Sequence, residues 1–380
     1  MGPTLDPGDS GHRTSLQDRA AADGVRAGET VTQRILVLSA AGVGDFVLGT
    51  PALRAIRHHF PRARIWLLTI PEVRPLAERC PYIDAVRTLD LRRSRSALIW
   101  LLGPGRGELW RLIRELRGNR FDVGVNLYGI GTRAGWLRMT AFFRAVGARR
   151  TVGRGNGWRG RGFHVTSEVE GHEIDAQLAV ARLLGATPTS DLPELWVAAE
   201  DTLACASLLE RHGISASEQV VCLHAGSAQP EKRWPAERFA AVGRRLAQAG
   251  TRVLLVGSDK ERALSASLAE AIPAAITVAG ETSLPVLAAL LRRAALLVTN
   301  DSGPMHMAAA LGVPMVVPFG PGTPTRFGPR GKATCLLFAA TGPPGGLPWW
   351  EQVPAEPVAE AAVRLLAEVT RQPSASTRHP

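Results

Sequence analysis

Two segments of the chain share one layout, and this layout restricts the possible folds more than any other feature. Residues 221–235 and 297–314 each begin as a short apolar run typical of a strand, turn through small and polar residues, and enter a helix. An open parallel α/β sheet presents groups to a ligand in this way, at the carboxyl ends of its strands. The same alternation begins at residue 34 and begins again after residue 195. The sequence therefore predicts two similar α/β halves with a ligand-binding cleft between them.

Polarity and composition divide the chain further. Residues 1–33 and 371–380 are polar and are predicted to be disordered tails. Residues 150–171 are rich in Gly and Arg and are predicted to form an ordered but irregular loop. Between the tails we predict a Rossmann-like domain, a linker, a second Rossmann-like domain and a terminal helix, which cover residues 34–185, 186–195, 196–354 and 355–370, respectively.

Composition excludes several classes of protein. No apolar run reaches the roughly 20 residues that a membrane-spanning helix requires, and the N-terminus lacks the apolar core of a signal peptide. The four cysteines have the spacing neither of a metal site nor of a disulfide framework, so we predict a cytoplasmic protein. The net charge of +11 favours an anionic partner. No nucleic-acid-binding signature accompanies that charge, and nucleic acid is not a predicted partner.

Two clusters of arginine lie in the first half. Arg92, Arg93 and Arg95 precede an apolar run at residues 100–102, and the second cluster covers residues 149–161. Basic residues beside apolar ones are typical of a peripheral contact with an anionic membrane. A solvated basic face is the alternative interpretation.

Lys232 is notable because the chain contains three lysines among its 45 basic residues. Such a bias is typical of a genome in which arginine replaces lysine wherever a plain positive charge suffices. A lysine kept inside a proline-flanked turn is predicted to serve as a compact ammonium group that binds phosphate. The alternative is a lysine that survives by chance on a solvated face.

Several blocks of the sequence together resemble a known family. They are residues 34–38 with 42–45 and 49–55, residues 172–175, residues 224–227 with 232–235, residues 300–306, and residues 319–321. In this order they resemble the bacterial heptosyltransferases, the inverting glycosyltransferases that include the enzymes of the lipopolysaccharide core. The resemblance runs from about residue 34 to residue 370, and the Asn-Asp-Ser-Gly-Pro-Met-His block at 300–306 is its most specific part.

The resemblance implies a GT-B architecture, in which two Rossmann-like domains face a cleft and the second domain holds most of the donor nucleotide. It implies ADP-heptose as the donor, inversion at the anomeric carbon, and neither a metal nor a cofactor. Many members carry a cysteine cluster before the last helix, where this chain has Cys335 followed by a segment rich in Pro, Gly and Trp. The acceptor therefore stays open between a lipid-linked core sugar at the inner membrane face and a soluble metabolite.

The donor side is predicted from the two turns of the second half. Their small residues leave backbone N–H groups free at helix starts, where a diphosphate binds. The predicted donor-binding residues are Gly226, Ser227, Lys232, Glu261, Asp301, Ser302, Gly303 and His306. Glu261 follows a strand and is predicted to accept hydrogen bonds from the ribose hydroxyls. The alternative for His306 is a packed histidine on the first turn of a helix.

The acceptor side is predicted from the first half. Asp45 lies just beyond the first strand and is the predicted base that takes the proton of the attacking hydroxyl. Its alternative role is to cap the following helix. Gly44 would let the acceptor come close, and Arg154 and Arg161 are predicted to lie beside it.

Three other functions compete with glycosyl transfer. A dinucleotide oxidoreductase is excluded, because the glycine after Gly44 is Gly49 and this spacing does not match the dinucleotide-binding fingerprint. A transferase or an epimerase for another nucleotide sugar stays open, since a fold does not determine a function. A non-catalytic binding subunit is the third alternative, and the presence of both Asp45 and Lys232 argues against it.

Overall fold

The computed structural model describes residues 33–89, 106–130, 132–155, 162–320, 324–339 and 348–371. The first half contains six strands: β1 (Arg34–Ser39), β2 (Arg64–Thr69), β3 (Ala85–Thr88), β4 (Val123–Asn126), β5 (Arg150–Arg154) and β6 (Val165–Ser167). Its helices are α1 (Val43–His59), α2 (Arg74–Ala77), α3 (Arg106–Gly118), α4 (Arg133–Val146) and α5 (Glu173–Arg182). A short 3-10 helix at Pro71–Val73 precedes α2.

The second half repeats this plan. Its strands are β7 (Val220–His224), β8 (Arg252–Leu255), β9 (Ile276–Thr277), β10 (Leu296–Thr299), β11 (Met315–Phe319) and β12 (Cys335–Ala339). Its helices are α6 (Ala199–Arg211), α7 (Ala236–Gln248), α8 (Arg262–Ala271), α9 (Leu284–Arg293), α10 (Gly303–Leu311), α11 (Pro324–Phe327) and α12 (Ala355–Arg371). Short 3-10 helices occur at Pro230–Lys232, Asp259–Glu261 and Trp349–Gln352.

Both sheets are parallel and have the same topology. The strand order is β3-β2-β1-β4-β5-β6 in the first sheet and β12-β11-β10-β7-β8-β9 in the second. In each sheet the chain therefore leaves the central strand first in one direction and then in the other. The direction reverses between β1 and β4, and between β7 and β10. A crevice opens at the carboxyl ends of the strands at such a point, which is where open α/β sheets bind ligands.

The central strands are apolar throughout because helices cover both faces of each sheet. Residues 35–38 of β1 are fully buried, and so are residues 220–223 of β7. Helix α1 packs against α5 of its own half and against α10 of the other half. Phe46 and Leu53 of α1 consequently belong to the same buried cluster as Met305 and Met307 of α10. The two halves share part of one apolar core.

The predicted linker at 186–195 has neither helix nor strand, but it is held firmly against α1. Arg54, a buried residue of α1, donates hydrogen bonds to the carbonyl oxygens of Ser190 (2.8 Å) and Leu192 (3.3 Å). The same guanidinium forms a 2.5 Å ion pair with Glu194. The domain boundaries on either side of this segment stay a prediction.

The prediction of an irregular loop over residues 150–171 is wrong for residues 150–154 and 165–167, which form β5 and β6. Gly153 of β5 lies so close to Phe163 that a Cβ atom on it would approach the phenyl ring to 2.7 Å. The glycine that resembled a loop residue is therefore a strand residue that makes room for an aromatic ring. Strand β12 was not predicted from the sequence, and its partly exposed residues suit the edge of a sheet.

Some sequence predictions fall outside the described residues. These are the tails except for Gln33 and Arg371, the basic and apolar cluster at residues 92–102, and Arg161. Arg371 is the last residue of α12 rather than the first residue of a tail. Within the described ranges, no helix has both the length and the apolar character needed to cross a membrane.

Candidate active site

Two helix starts, one from each half, meet at the reversal points of the sheets. Helix α1 follows β1, and helix α10 follows β10. A Cβ atom on Gly44 would lie 2.6 Å from Cδ2 of His306, and a Cβ atom on Gly303 would lie 3.3 Å from the Cβ of Val43. The two helices approach this closely because glycine has no side chain at either contact. Three residues predicted for the site, Gly44, Gly303 and His306, are thus brought together.

Asp45 lies in the first turn of α1, beside this contact. Its Oδ2 accepts a hydrogen bond from the backbone N–H of Gly42 (3.1 Å), so the capping role that was its alternative is present. Burial and the negative charge of Glu173 raise the pKa of Asp45 to about 6, against the opposing effects of the Gly42 N–H and Lys232. A carboxylate with this pKa exchanges its proton near neutral pH, as a general base must.

Lys232 is half-buried and paired rather than free in solvent. Its Nζ donates to Oδ2 of Asp301 at 2.6 Å, and the Asp301 side chain is only 4% exposed. The Phe327 ring lies 5.8 Å from the same Nζ. The ammonium group is therefore held between the turn after β7 and the start of α10, and the alternative of a solvated surface lysine is wrong.

Asn300 joins the two turns of the second half. Its side-chain Nδ2 donates to the carbonyl oxygens of Ala225 (2.8 Å) and Gly226 (3.2 Å). Its Oδ1 accepts from the backbone N–H of Trp234 at 3.0 Å. Sequence reasoning did not assign Asn300 a role, although a fully buried asparagine directly after a strand needs partners of this kind. These bonds fix the loop that carries Lys232 beside Asp301.

Glu261 is held by the segment that precedes α8. Its Oε2 accepts from the backbone N–H (2.7 Å) and the hydroxyl (2.8 Å) of Ser258, and its Oε1 lies 3.7 Å from Nε2 of His224. Burial favours the neutral carboxyl, but His224 and Ser258 outweigh burial and lower the pKa of Glu261 to about 2. Gly226 admits this carboxylate, because a Cβ atom there would lie 1.7 Å from Oε1. Glu261 is thus a charged hydrogen-bond acceptor.

The hydroxyls of Ser227 and Ser302 both have hydrogen-bond partners within the protein. The Oγ of Ser302 lies 3.2 Å from Nδ1 of His224, which also lies 3.1 Å from the hydroxyl of Thr299. The Oγ of Ser227 accepts from the N–H of Gln229 at 3.3 Å. What these two residues offer a ligand is therefore mainly their backbone at the helix start and in the turn.

His306 is buried without a hydrogen-bond partner on Nδ1 among the described residues. Burial, together with His172 and Lys232 nearby, lowers the pKa of His306 to about 3, so its imidazole is neutral. His306 is thus packed on the first turn of a helix, as its alternative role requires, but one ring nitrogen is unsatisfied, and a role in donor binding stays a prediction.

The start of α5 links the first half of the chain to the second half. Arg154 of β5 forms a short ion pair with Glu173, the first residue of α5, so its charge is already compensated. Nε2 of His172 lies 2.8 Å from the carbonyl oxygen of Gly328, and Arg330 pairs with Asp175 at 2.5 Å. Glu173 was not among the predicted site residues. The only sequence signal was its place in the block at 172–175.

Within the described ranges, no three His, Cys, Asp or Glu side chains are grouped as a metal site would require. The positive charges paired with the acidic groups of the site are those of Lys232 on Asp301 and of Arg154 and Arg326 on Glu173.

Comparisons of the sequence with known proteins match heptosyltransferases. A family model described as glycosyltransferase family 9 (heptosyltransferase) matches residues 109–342. The lipopolysaccharide heptosyltransferase 2 of Salmonella typhimurium is 27% identical over 328 residues, which cover 81% of this chain and 89% of that protein. The lipopolysaccharide heptosyltransferase 3 of Escherichia coli K12 is 27% identical over 296 residues, which cover 73% and 79%, respectively.

The fold is similar to that of solved structures along most of the chain. A glycosyl transferase of family 9 from Veillonella parvula superposes with a TM-score of 0.78 at 26% identity, covering 90% of this chain and 99% of that one. The ADP-heptose lipopolysaccharide heptosyltransferase II of Escherichia coli superposes with a TM-score of 0.72 at 22% identity, covering 88% and 99%. These likenesses confirm the GT-B architecture that the resemblance implied.

Proposed function

The chain belongs to glycosyltransferase family 9, the heptosyltransferases, and from this premise we propose that it transfers heptose from ADP-heptose to a saccharide or glycolipid hydroxyl with inversion. It is a glycosyltransferase, with a nucleotide sugar as donor and a saccharide as acceptor. The relatives named lipopolysaccharide heptosyltransferases support a role in building the lipopolysaccharide core. The observation that carries the proposal is the meeting of α1 and α10, which sets Asp45 within electrostatic reach of Lys232.

In the proposed reaction Asp45 removes the proton from the attacking acceptor hydroxyl. The hydroxyl oxygen forms a bond to the anomeric carbon, and the bond from that carbon to the diphosphate oxygen breaks on the opposite face, which inverts the configuration. The proton stays on Asp45 and ADP leaves with the electron pair of the broken bond. The raised pKa makes Asp45 a stronger base than an ordinary aspartate, while it remains ionised above about pH 6.

We propose that Lys232 and the start of α10 stabilise the charge of the departing diphosphate. Asp301 takes one of the three ammonium hydrogens of Lys232, which leaves the others for phosphate oxygens. The N-terminal end of the nine-residue α10 adds free backbone N–H groups and the positive end of its dipole. Glu261, charged and able only to accept hydrogen bonds, suits the hydroxyls of the ribose.

The substitution Asp45→Asn tests the base. We expect transfer to fall by roughly 10²–10⁴-fold, because an amide cannot take the proton, while donor affinity stays within a few-fold. In the wild-type enzyme the rate should fall as the pH drops through about 6, since Asp45 then becomes protonated. Steady-state kinetics and calorimetric titration with donor measure both effects. An equal loss of donor affinity would mean that Asp45 acts through its helix-capping bond alone.

The substitution Lys232→Ala tests the diphosphate site. Loss of a charged hydrogen bond should weaken ADP-sugar binding by about 1.5–3 kcal/mol and adenosine binding much less. Lys232→Arg should restore only part of this affinity, because a planar guanidinium does not fit the place of a compact ammonium. Lys332→Ala, at an exposed lysine of the second half, is the matched control. An arginine variant that binds ADP-sugar as tightly as wild type would refute the argument from the scarcity of lysine.

We further propose that transfer does not require a metal, because Lys232 and the start of α10 supply the positive charge. EDTA should therefore leave the rate unchanged when it is measured by release of ADP. Loss of activity on chelation, with recovery on addition of Mg²⁺ or Mn²⁺, would contradict this part of the proposal.

We also propose a peripheral contact with the anionic inner face of the membrane. Trp110 on α3 and Leu137 on α4 are 47% and 52% exposed, and these two helices pack together. Exposed arginines flank them at positions 111, 114 and 133. Exposed apolar side chains with arginines nearby suit an anionic bilayer, where the glycolipid form of the acceptor would reside.

Sedimentation with anionic vesicles tests this contact. The wild-type protein should bind at low salt and be released at high salt, because physiological ionic strength already screens surface charge beyond about 8 Å. The double variant Trp110→Ala/Leu137→Ala should bind less, whereas Leu203→Ala, which removes a 69% exposed leucine from the second half, should bind as wild type does. No binding at low salt would favour a soluble acceptor.

A further inference from the structure

A second buried carboxylate, that of Glu173, lies close to Asp45. Glu173 at the start of α5 is 4% exposed, and one of its oxygens pairs with Arg154. One turn further along α5, Gln177 donates from Nε2 to the backbone carbonyl oxygen of Asp45 at 3.5 Å. Residues four positions apart share one face of a helix, so Glu173 lies on the face of α5 that packs against the start of α1.

Buried polar atoms without hydrogen-bond partners lie close to the start of α1. Oε2 of Glu173, Oε1 of Gln177 and Nδ1 of His306 are buried and lack a hydrogen-bond partner in the described part of the chain. Oε1 of Gln177 would contact a Cβ on Gly49, and His306 lies against Gly44, so both line α1 close to Asp45. Buried polar groups in folded proteins almost always have partners. Their concentration marks the junction of α1, α5 and α10 as a place where the fold leaves polar groups unsatisfied.

The charged and titratable groups around Asp45 come from several elements. Glu173 faces it from α5, Lys232 from the turn after β7, and Tyr128 from the segment after β4. Burial raises the pKa of Tyr128, with Asp45 and Glu173 adding to the effect, so the phenol is neutral at physiological pH. His306 of α10 is neutral because burial lowers its pKa. Glu173 is therefore the negative charge that acts on Asp45, and Lys232 is the opposing positive charge.

Arginines from both halves of the protein pair with the Glu173 carboxylate. Arg154 of β5 holds one oxygen, and Arg326 of α11 lies 3.6 Å from the other. The Arg326 side chain is 51% exposed, so solvent screens its charge more than that of the largely buried Arg154. The two arginines compensate the buried charge of Glu173 without removing its field at Asp45, because Glu173 still raises the pKa of Asp45.

On the premise that Asp45 is the base, we propose that Glu173 is a positioning residue that makes Asp45 a stronger base. A negative neighbour disfavours the ionised form of a carboxylate, which increases its affinity for a proton. A base with greater proton affinity accelerates the removal of a hydroxyl proton, provided that it is still ionised at the working pH. Arg326 opposes this effect from the second half.

The pH dependence of kcat/KM for Glu173→Gln tests the proposal. The variant keeps the size of the side chain and an oxygen for Arg154, but it removes the charge. The acidic limb of the profile should move to lower pH by about one unit, and the plateau rate should fall several-fold. Arg326→Gln should move the limb by a smaller amount in the opposite direction. The control Glu168→Gln, at an exposed glutamate of the same half, should leave the profile unchanged.

Loss of the charge leaves Arg154 buried without its counter-ion, so folding has to be checked by thermal melting. If Glu173→Gln does not fold, the double variant Arg154→Gln/Glu173→Gln removes both charges and should show the same lowered limb. An unmoved limb in a folded variant, together with an inactive Asp45→Asn, would overturn the role of Glu173 alone. Full activity of Asp45→Asn would instead overturn the assignment of the base, and with it this inference.

Discussion

The contact between Gly44 and His306 is the constraint on which the rest of the site depends. It lets the starts of α1 and α10 meet at a distance that any side chain on Gly44 would prevent. Each helix start follows the central region of its own sheet, so the meeting joins the two points at which the topology opens a crevice. Two half-sites on separate sheets become one site, and we propose that the first half holds the acceptor and the second half holds the donor.

The charged groups of this site are buried, and most of them have a partner that stabilises the charge. This pairing explains why the groups can stay charged away from solvent. Lys232 is held by Asp301, Glu261 by Ser258 and His224, and Glu173 by Arg154. An unpaired charge at these depths would cost several kcal/mol. Asp45 differs, because its partners are a backbone N–H and a more distant Lys232, and a second carboxylate opposes them. It is consequently the carboxylate whose proton is exchangeable near neutral pH.

Sequence reasoning succeeded where local patterns decide the structure. The apolar runs that begin at residues 34, 221 and 297 are contained in consecutive residues, and the structure has β1, β7 and β10 there. Sequence reasoning failed at β5 and β6. By sequence alone Gly153 is typical of a loop, and only the structure shows that it makes room for the Phe163 ring. Asn300 and Glu173 were missed for a related reason. Their partners are the Ala225–Trp234 turn and Arg154, and only tertiary structure brings those groups together.

The central claim is that the second half of this site binds an ADP-sugar, and thermal unfolding against a panel of nucleotide sugars tests it most directly. ADP-heptose should raise the midpoint of unfolding more than sugars of UDP or GDP do. At 100 times its dissociation constant it should add about 2.7 kcal/mol to the free energy of unfolding. Stabilisation by a UDP- or GDP-sugar, with none from ADP-heptose, would contradict the account.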